Sequence, residues 1–224
     1  MRLVTYNIRK AIGLDRRRDP GRIMDVINGL EADVVVLQEA DRRLGARPAA
    51  LPFAMIAQHS DFTPAPVASN PVSLGSHGNA ILVRRGLKIG AVRRIALPGL
   101  EPRGAVVVEI GGALQVVGVH LGLLRRYRRA QLSALAEALL HSDLPTAILG
   151  DFNEWSPKQG LEALSKGFTL HTPGRSYHAA RPVAALDRIA LSPGLVLRGA
   201  GVEQGPLARV ASDHLPVWAQ VEPA

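Results

Sequence analysis

Five apolar runs in this chain each adjoin an acid, an amide or an imidazole, and that recurrence restricts the folds open to it more than any other feature. Thr5-Tyr6 leads into Asn7, Leu37-Gln38 into Glu39, and Val119 into His120. Thr146-Ala147-Ile148-Leu149 leads into Gly150-Asp151-Phe152-Asn153, and Ser212-Asp213-His214-Leu215-Pro216 precedes the last run. Runs of this length read as strands, and the ends of buried strands are where α/β enzymes keep their chemistry. In an extended chain Asp151 and Asn153, two apart, point to one side and can converge on one point. The alternative for that pair is a plain turn, in which Asn is common. Core packing alone does not require five such endings.

At 224 residues the chain can bury one substantial core, and residues 1–224 read as a single domain without a linker. The Pro-containing stretch from Thr63 to Gly75 has the composition of a long surface loop. With no cysteine, neither disulfides nor thiolate metal sites are available, so any metal must be held by oxygen or imidazole, which points to a hard cation. Arg2 enters a short run that Asn7 and Arg9 interrupt too soon for a signal peptide, and no stretch approaches the roughly 20 apolar residues of a membrane span. The expectation is a cytoplasmic protein with no transmembrane segment and no obligate protein partner. The net charge of +8 suits an anionic partner: nucleic acid, a phospholipid surface or a small phosphate ester. A GC-rich genome accounts for the same Arg and Ala excess without any binding role, and the scattered arginine doublets fit solvated faces.

The layout is coarse but consistent. Arg2 to Ile8 reads as a strand, and Asp19-Pro20 opens a helix whose Ile23, Val26, Ile27 and Leu30 share one face. Asp33 to Leu37 is a strand buried on both sides. Asn79–Val83, Lys88–Leu97, Ala105–Ile110 and Ala113–Val119 follow as strands, the last two joined through Gly111-Gly112. A second helix is expected from about Arg125 to His141, with basic first turns that oppose its dipole. Strands return near Ala147–Leu149, Leu186–Leu191 and Pro216–Val221. Many strands with two widely separated helices predict packed sheets with helices outside, an α/β layered sandwich.

Asn7, Glu39, Asp151, Asn153, Asp213 and His214 together supply three carboxylates, two carboxamides and an imidazole. That set suits Mg²⁺ or Mn²⁺, and a metal so held can polarise a phosphoryl oxygen as a phosphoester is cleaved. His120, His214 and Asp187 are candidates for activating water and relieving the leaving oxygen.

The ordered series TYNI (5 to 8), LQE (37 to 39), HGNAIL (77 to 82), EPRGA (101 to 105), HLG (120 to 122), GDFNEW (150 to 155), LDRI (186 to 189) and SDHLPV (212 to 217) resembles the endonuclease/exonuclease/phosphatase superfamily across the whole chain. The resemblance implies a four-layered α/β/β/α sandwich of two mainly antiparallel sheets and a Mg²⁺- or Mn²⁺-dependent phosphodiesterase. It implies that Glu39 is the principal metal carboxylate, with Asn7 beside it and Asp213 contributing. Asp151 would orient or deprotonate the attacking water and Asn153 steady the phosphate. His214 would contact the phosphoryl oxygen or act as base, with Asp187 holding its imidazole; His120 would stand near the leaving oxygen. Arg103 is similar to an arginine near the scissile phosphate and Asn79 to a residue lining the same pocket. Trp155 reads as a packing residue.

Substrate is less legible than reaction, because loops choose the leaving group. Here the loops are lean and aromatics make up only 4% of residues, few for stacking on bases. Basic charge tilts the expectation slightly toward nucleic acid, with a phospholipid or small phosphoester as the alternative. A non-catalytic binding module would have lost a ligand or catalytic position, and none of the series is lost.

Overall fold

The apolar runs form two six-stranded sheets laid face to face in a computed structural model, which describes residues 1–140, 142–156 and 159–224. The first sheet comprises β1 (Arg2–Asn7), β2 (Val34–Gln38), β3 (Phe62–Pro64), β4 (Ala80–Arg84), β11 (Leu195–Val202) and β12 (Val217–Pro223), in the order β11-β12-β1-β2-β4-β3. The second comprises β5 (Ile89–Leu97), β6 (Arg103–Ile110), β7 (Leu114–His120), β8 (Thr146–Asp151), β9 (Thr169–His171) and β10 (Asp187–Leu191), in the order β5-β6-β7-β8-β10-β9. Each sheet carries one parallel pair, β1 with β2 and β7 with β8, and its other pairs are antiparallel.

Period-two alternation sorts the strand residues into layers. Leu3, Val34, Val36 and Ile81 of the first sheet meet Val106, Val116, Leu149 and Ile189 of the second in the central apolar layer. On the outer face of the first sheet, Val4, Val35 and Leu37 pack under α1 (Pro20–Gly29) and α2 (Phe53–His59). On the outer face of the second, Val107, Val117 and Ile148 pack under α3 (Arg125–Leu139) through Leu132, Leu135 and Leu139. The result is the expected α/β/β/α sandwich. β2 is buried along its whole length because both of its faces are covered, as its continuous Val and Leu foretold.

Local chemistry explains the boundaries. Asp19 caps α1, its carboxylate accepting the Arg22 N–H at 3.0 Å, with Pro20 in the first turn. Gly111 and Gly112 take φ 63° and 69°, and the Ala113 N–H bonds the Ile110 carbonyl at 3.2 Å, which closes the β6–β7 hairpin. α3 ends at Leu139, short of the expected His141, which lies outside the described residues.

Several elements escaped the sequence reading. α2 has seven residues with only Ile56 buried, so it shows no apolar stripe. β11 contains Gly199 and Gly201, which weaken a strand signal; Gly201 is needed because a Cβ there would fall 2.8 Å from the Trp218 ring. The stretch 63–75 is less of a surface loop than its composition suggests. It starts inside β3 and buries Ala65, Val67 and Leu74. The Asp41 carboxylate holds it down by accepting the Leu74 N–H at 2.6 Å and the Gly75 N–H at 3.3 Å.

Candidate active site

The parallel pairs bring the polar strand ends together. β1 and β2 run the same way, so Asn7 and Glu39 finish side by side, with Asn7 registered on Gln38. β7 and β8 do the same in the other sheet and place His120 opposite Asp151. β10 runs antiparallel to β8 and begins at Asp187, which is registered on the same Asp151. β12 is antiparallel to β1, with Thr5 opposite Val217, so the preceding Asp213 and His214 arrive at the Asn7 end. β8 lies so tightly against β7 that a Cβ on Gly150 would fall 2.0 Å from the Val119 carbonyl oxygen, which accounts for the glycine before Asp151.

Asp151, 1% exposed, is the centre of the arrangement. Its Oδ2 accepts from Asn7 Nδ2 at 3.1 Å across the two sheets, and lies 3.5 Å from His120 Nε2 and 3.7 Å from His214 Nε2. Its Oδ1 accepts the Asn153 N–H at 2.9 Å. The extended Asp151–Asn153 geometry expected from sequence does not form. Asn153 turns into the left-handed region at φ 51°, and its Nδ2 donates to the Leu121 carbonyl at 2.8 Å. Turn and site are therefore the same structure: the turn fixes the carboxylate.

Behind His214 stands Asp187, fully buried, its Oδ2 2.7 Å from His214 Nδ1. The same oxygen accepts from the Ser176 hydroxyl at 2.5 Å, a partner the sequence did not announce. Burial pulls the His214 pKa down, but the Asp187 and Asp151 carboxylates outweigh it and raise it to about 10. His120 goes the other way: burial lowers its pKa to about 3, so it is neutral at neutral pH. Burial also raises the Asp151 pKa, against the pull of the two imidazoles.

Asp187→Asn is expected to bring the His214 pKa down from about 10 toward or below its ordinary 6.5. In the wild type the stabilisation from this imidazolium is complete below about 6.5 and is lost as pH rises through about 10. An NMR titration of the His214 ring checks this; an unchanged midpoint in the variant would remove Asp187 as the cause.

Asn7, Glu39, Arg103, His120, Asp151, Asn153 and His214 line one open cleft of about 570 Å³. Three of the expected site residues do not. Asp187 works from behind His214. Asp213 pairs with Arg9, at 3.4 Å between Oδ2 and Nε. Asn79, expected on the pocket wall, is completely buried, its Nδ2 donating to the Gly104 carbonyl at 2.8 Å, so it joins β4 to β6 behind the wall. Arg103 is oriented by Glu101, with Nη2 to Oε2 at 2.8 Å. Asp187 does not pair with Arg188, whose Nη2 donates instead to the carbonyls of Glu154 and Ser156 at 2.6 and 2.8 Å.

Two groups of donors suit a cation. Asp151, Asp187 and His214 bring ligand atoms within 4.8 Å of one another, although Asp187 and His214 already spend a pair of those atoms on their mutual hydrogen bond. Glu39 and Asp213 make up the second group, and each holds a counter-cation from one turn: Lys10 on Glu39, Arg9 on Asp213. Arg9, Lys10 and Ala11 all have positive φ, of 47°, 57° and 59°, a run without glycine that no sequence pattern reveals. Carboxylates that recruit cations this closely, beside a carboxamide, form a donor set that fits Mg²⁺ or Mn²⁺. Strained backbone at Glu39 (φ 52°) and His77 (φ 50°) surrounds the same cleft.

The sequence matches the Endonuclease/Exonuclease/phosphatase family over residues 4–214. It is 30% identical over 246 residues to the uncharacterized protein YbhP of Escherichia coli (strain K12), covering 98% of this chain and 95% of that protein. The crystal structure of an endonuclease/exonuclease/phosphatase from Beutenbergia cavernae DSM 12333 superposes with a TM-score of 0.77 at 22% identity, covering all 100% of this chain and 72% of that one. D. rerio TDP2 complexed with single strand DNA product gives a TM-score of 0.76 at 17% identity, covering 99% and 98%. At these identities the two structures speak to the fold.

Proposed function

The chain belongs to the endonuclease/exonuclease/phosphatase family, whose members hydrolyse phosphoesters, and on that footing we propose that it is a divalent-metal-dependent phosphodiesterase. The observation that carries the reading is the convergence of Asp151, His120 and His214 on one cleft that also receives Glu39 and Arg103. A cation held by Glu39, with Asn7 and Asp213 beside it, would polarise a phosphoryl oxygen and offset the charge that develops there.

The chain's own residues supply the rest. Asn7 holds Asp151 Oδ2 in place, so this carboxylate can orient a water and draw off its proton. His214, kept charged by Asp187, offers an Nε2–H to a phosphoryl oxygen. The neutral His120 stands beside Asp151, where it would take over the proton that Asp151 draws from the water and deliver one to the leaving oxygen. Asn153 retains an amide hydrogen for the phosphate after its bond to Leu121, and Arg103 adds a guanidinium at the cleft wall. A non-catalytic binding module is disfavoured because every one of these positions keeps its chemistry.

Purified protein with Mg²⁺ or Mn²⁺ is expected to hydrolyse bis-p-nitrophenyl phosphate, and EDTA to abolish the reaction. A panel of plasmid DNA, RNA, phosphatidylglycerol and inositol phosphates then ranks substrates. No turnover of any phosphoester, or turnover indifferent to EDTA, would sink the reading.

A further inference from the structure

The rim of the cleft carries apolar side chains where a soluble surface would place polar ones. Of the eleven exposed large hydrophobic residues among those described, two line the cleft and five more stand next to lining residues in the chain or on segments bonded to them. Leu44, 84% exposed, lies between the cleft-lining Arg43 and Arg47; Leu100, 78% exposed, precedes the lining Glu101. Leu123 and Trp155 are lining residues themselves, and 64% and 62% exposed. Trp155 is thus not the packing residue expected from sequence; its ring meets that of Tyr177 edge-on, with centroids 6.0 Å apart. Val183 is tied to the lining Tyr177 by a backbone bond of 2.7 Å, and Val72 to the Arg47 loop through Ala49 at 2.8 Å.

Apolar side chains clustered on one face mark an interaction surface, and the charge around them narrows the partner. Exposed arginines flank the same tips: Arg42 and Arg43 before Leu44, Arg126 after Leu124, and Arg181 before Val183. We propose that this rim docks on an anionic phospholipid bilayer, with the leucines and Trp155 entering the headgroup boundary and the arginines meeting lipid phosphates. Trp prefers that depth, and basic residues are drawn to an anionic leaflet. No described helix is long and apolar enough to cross a membrane, so the contact is peripheral. Nucleic acid fits less well, since stacking needs flat rings and the rim offers one exposed Trp among aliphatic tips. A protein partner fits less well too, because protein interfaces have a closed apolar centre depleted of charge, whereas these tips alternate with arginines around an open cleft.

The inference goes beyond the hydrolytic reading and is tested without it. Glu39→Gln protein in EDTA is mixed with phosphatidylglycerol–phosphatidylcholine vesicles, with pure phosphatidylcholine vesicles and with a single-stranded oligonucleotide. Sedimentation with the anionic vesicles alone among the two is expected, and L44S/L100S, two positions that do not line the cleft, should weaken it about tenfold or more. Brominated lipid should quench Trp155, as judged against Trp155→Phe, and L44S/L100S in the otherwise native chain should leave bis-p-nitrophenyl phosphate turnover unchanged. The proposal is overturned if the protein ignores anionic vesicles, if the serine pair binds them equally well, or if the pair weakens only oligonucleotide binding. Docking without any hydrolysis would instead count against the phosphodiesterase alone.

Discussion

Replacing Glu39 or His214 by alanine is expected to lower phosphodiester turnover by about a hundred- to ten-thousandfold, the range typical of losing a general acid–base or electrostatic group. The two losses should differ in kind. Glu39 is part-exposed and its one ion pair among the described residues is to Lys10, so the alanine variant should stay folded, as exposed pairs contribute little stability. Its defect should show as lost Mn²⁺ binding, read directly by electron paramagnetic resonance. His214 is buried against Asp187, so removing it leaves a buried carboxylate with only Ser176, and some stability goes with the activity. Mn²⁺ should still bind. Equal metal affinity in wild type and Glu39→Ala would take Glu39 out of the metal site, and a fully active His214→Ala would take the imidazole out of the chemistry.

Glu154→Ala is expected to cost about 3–5 kcal/mol of stability, the usual price of stranding buried partners of an ion pair. The Glu154 side chain is wholly buried and accepts from Arg125 at 2.7 Å and Arg128 at 2.8 Å, while its backbone carbonyl accepts from the buried Arg188. This accounts for the basic first turns of α3, which oppose the helix dipole but clasp the segment that follows Asp151. Burial pushes the Glu154 pKa up, yet the two guanidiniums outweigh it and bring it from 4.5 to about 2. The carboxylate's stabilisation is therefore present above about 4.5 and is lost as pH falls through about 2. Thermal unfolding should show the alanine variant melting roughly 10 °C lower near neutral pH, and acid titration should show the gap closing below pH 4.5. A melting point within a degree or two of wild type would mean that the arginines find other partners.

The sequence made the strands legible where burial left no alternative. β2 reads as a strand because Val34 to Leu37 are all apolar and covered, and the polar residue that ends each such run had to lie at a strand end. Which end of the sheet that is depends on strand direction, and no local pattern states that β1 and β2 are parallel. The left-handed turn Arg9–Ala11 was equally hidden, since none of its residues is glycine. Asn79 shows the limit of motif reading: its position was found, but whether it faces the cleft or the strand behind it depends on the pleat. Trp155 was misjudged because its neighbour Phe152 is fully buried and the chain turns between them.

The Asn7–Asp151 hydrogen bond joins one sheet to the other at the cleft, so the gap between the sheets is also a dimension of the proposed site. That gap is narrowest just beneath, where Val36 lies so close to Gly118 that a methyl group there would fall 2.7 Å from it. The apolar filling thus acts as a spacer for the proposed site, and drift in its volume would be registered at the Asn7–Asp151 bond before it was registered as unfolding.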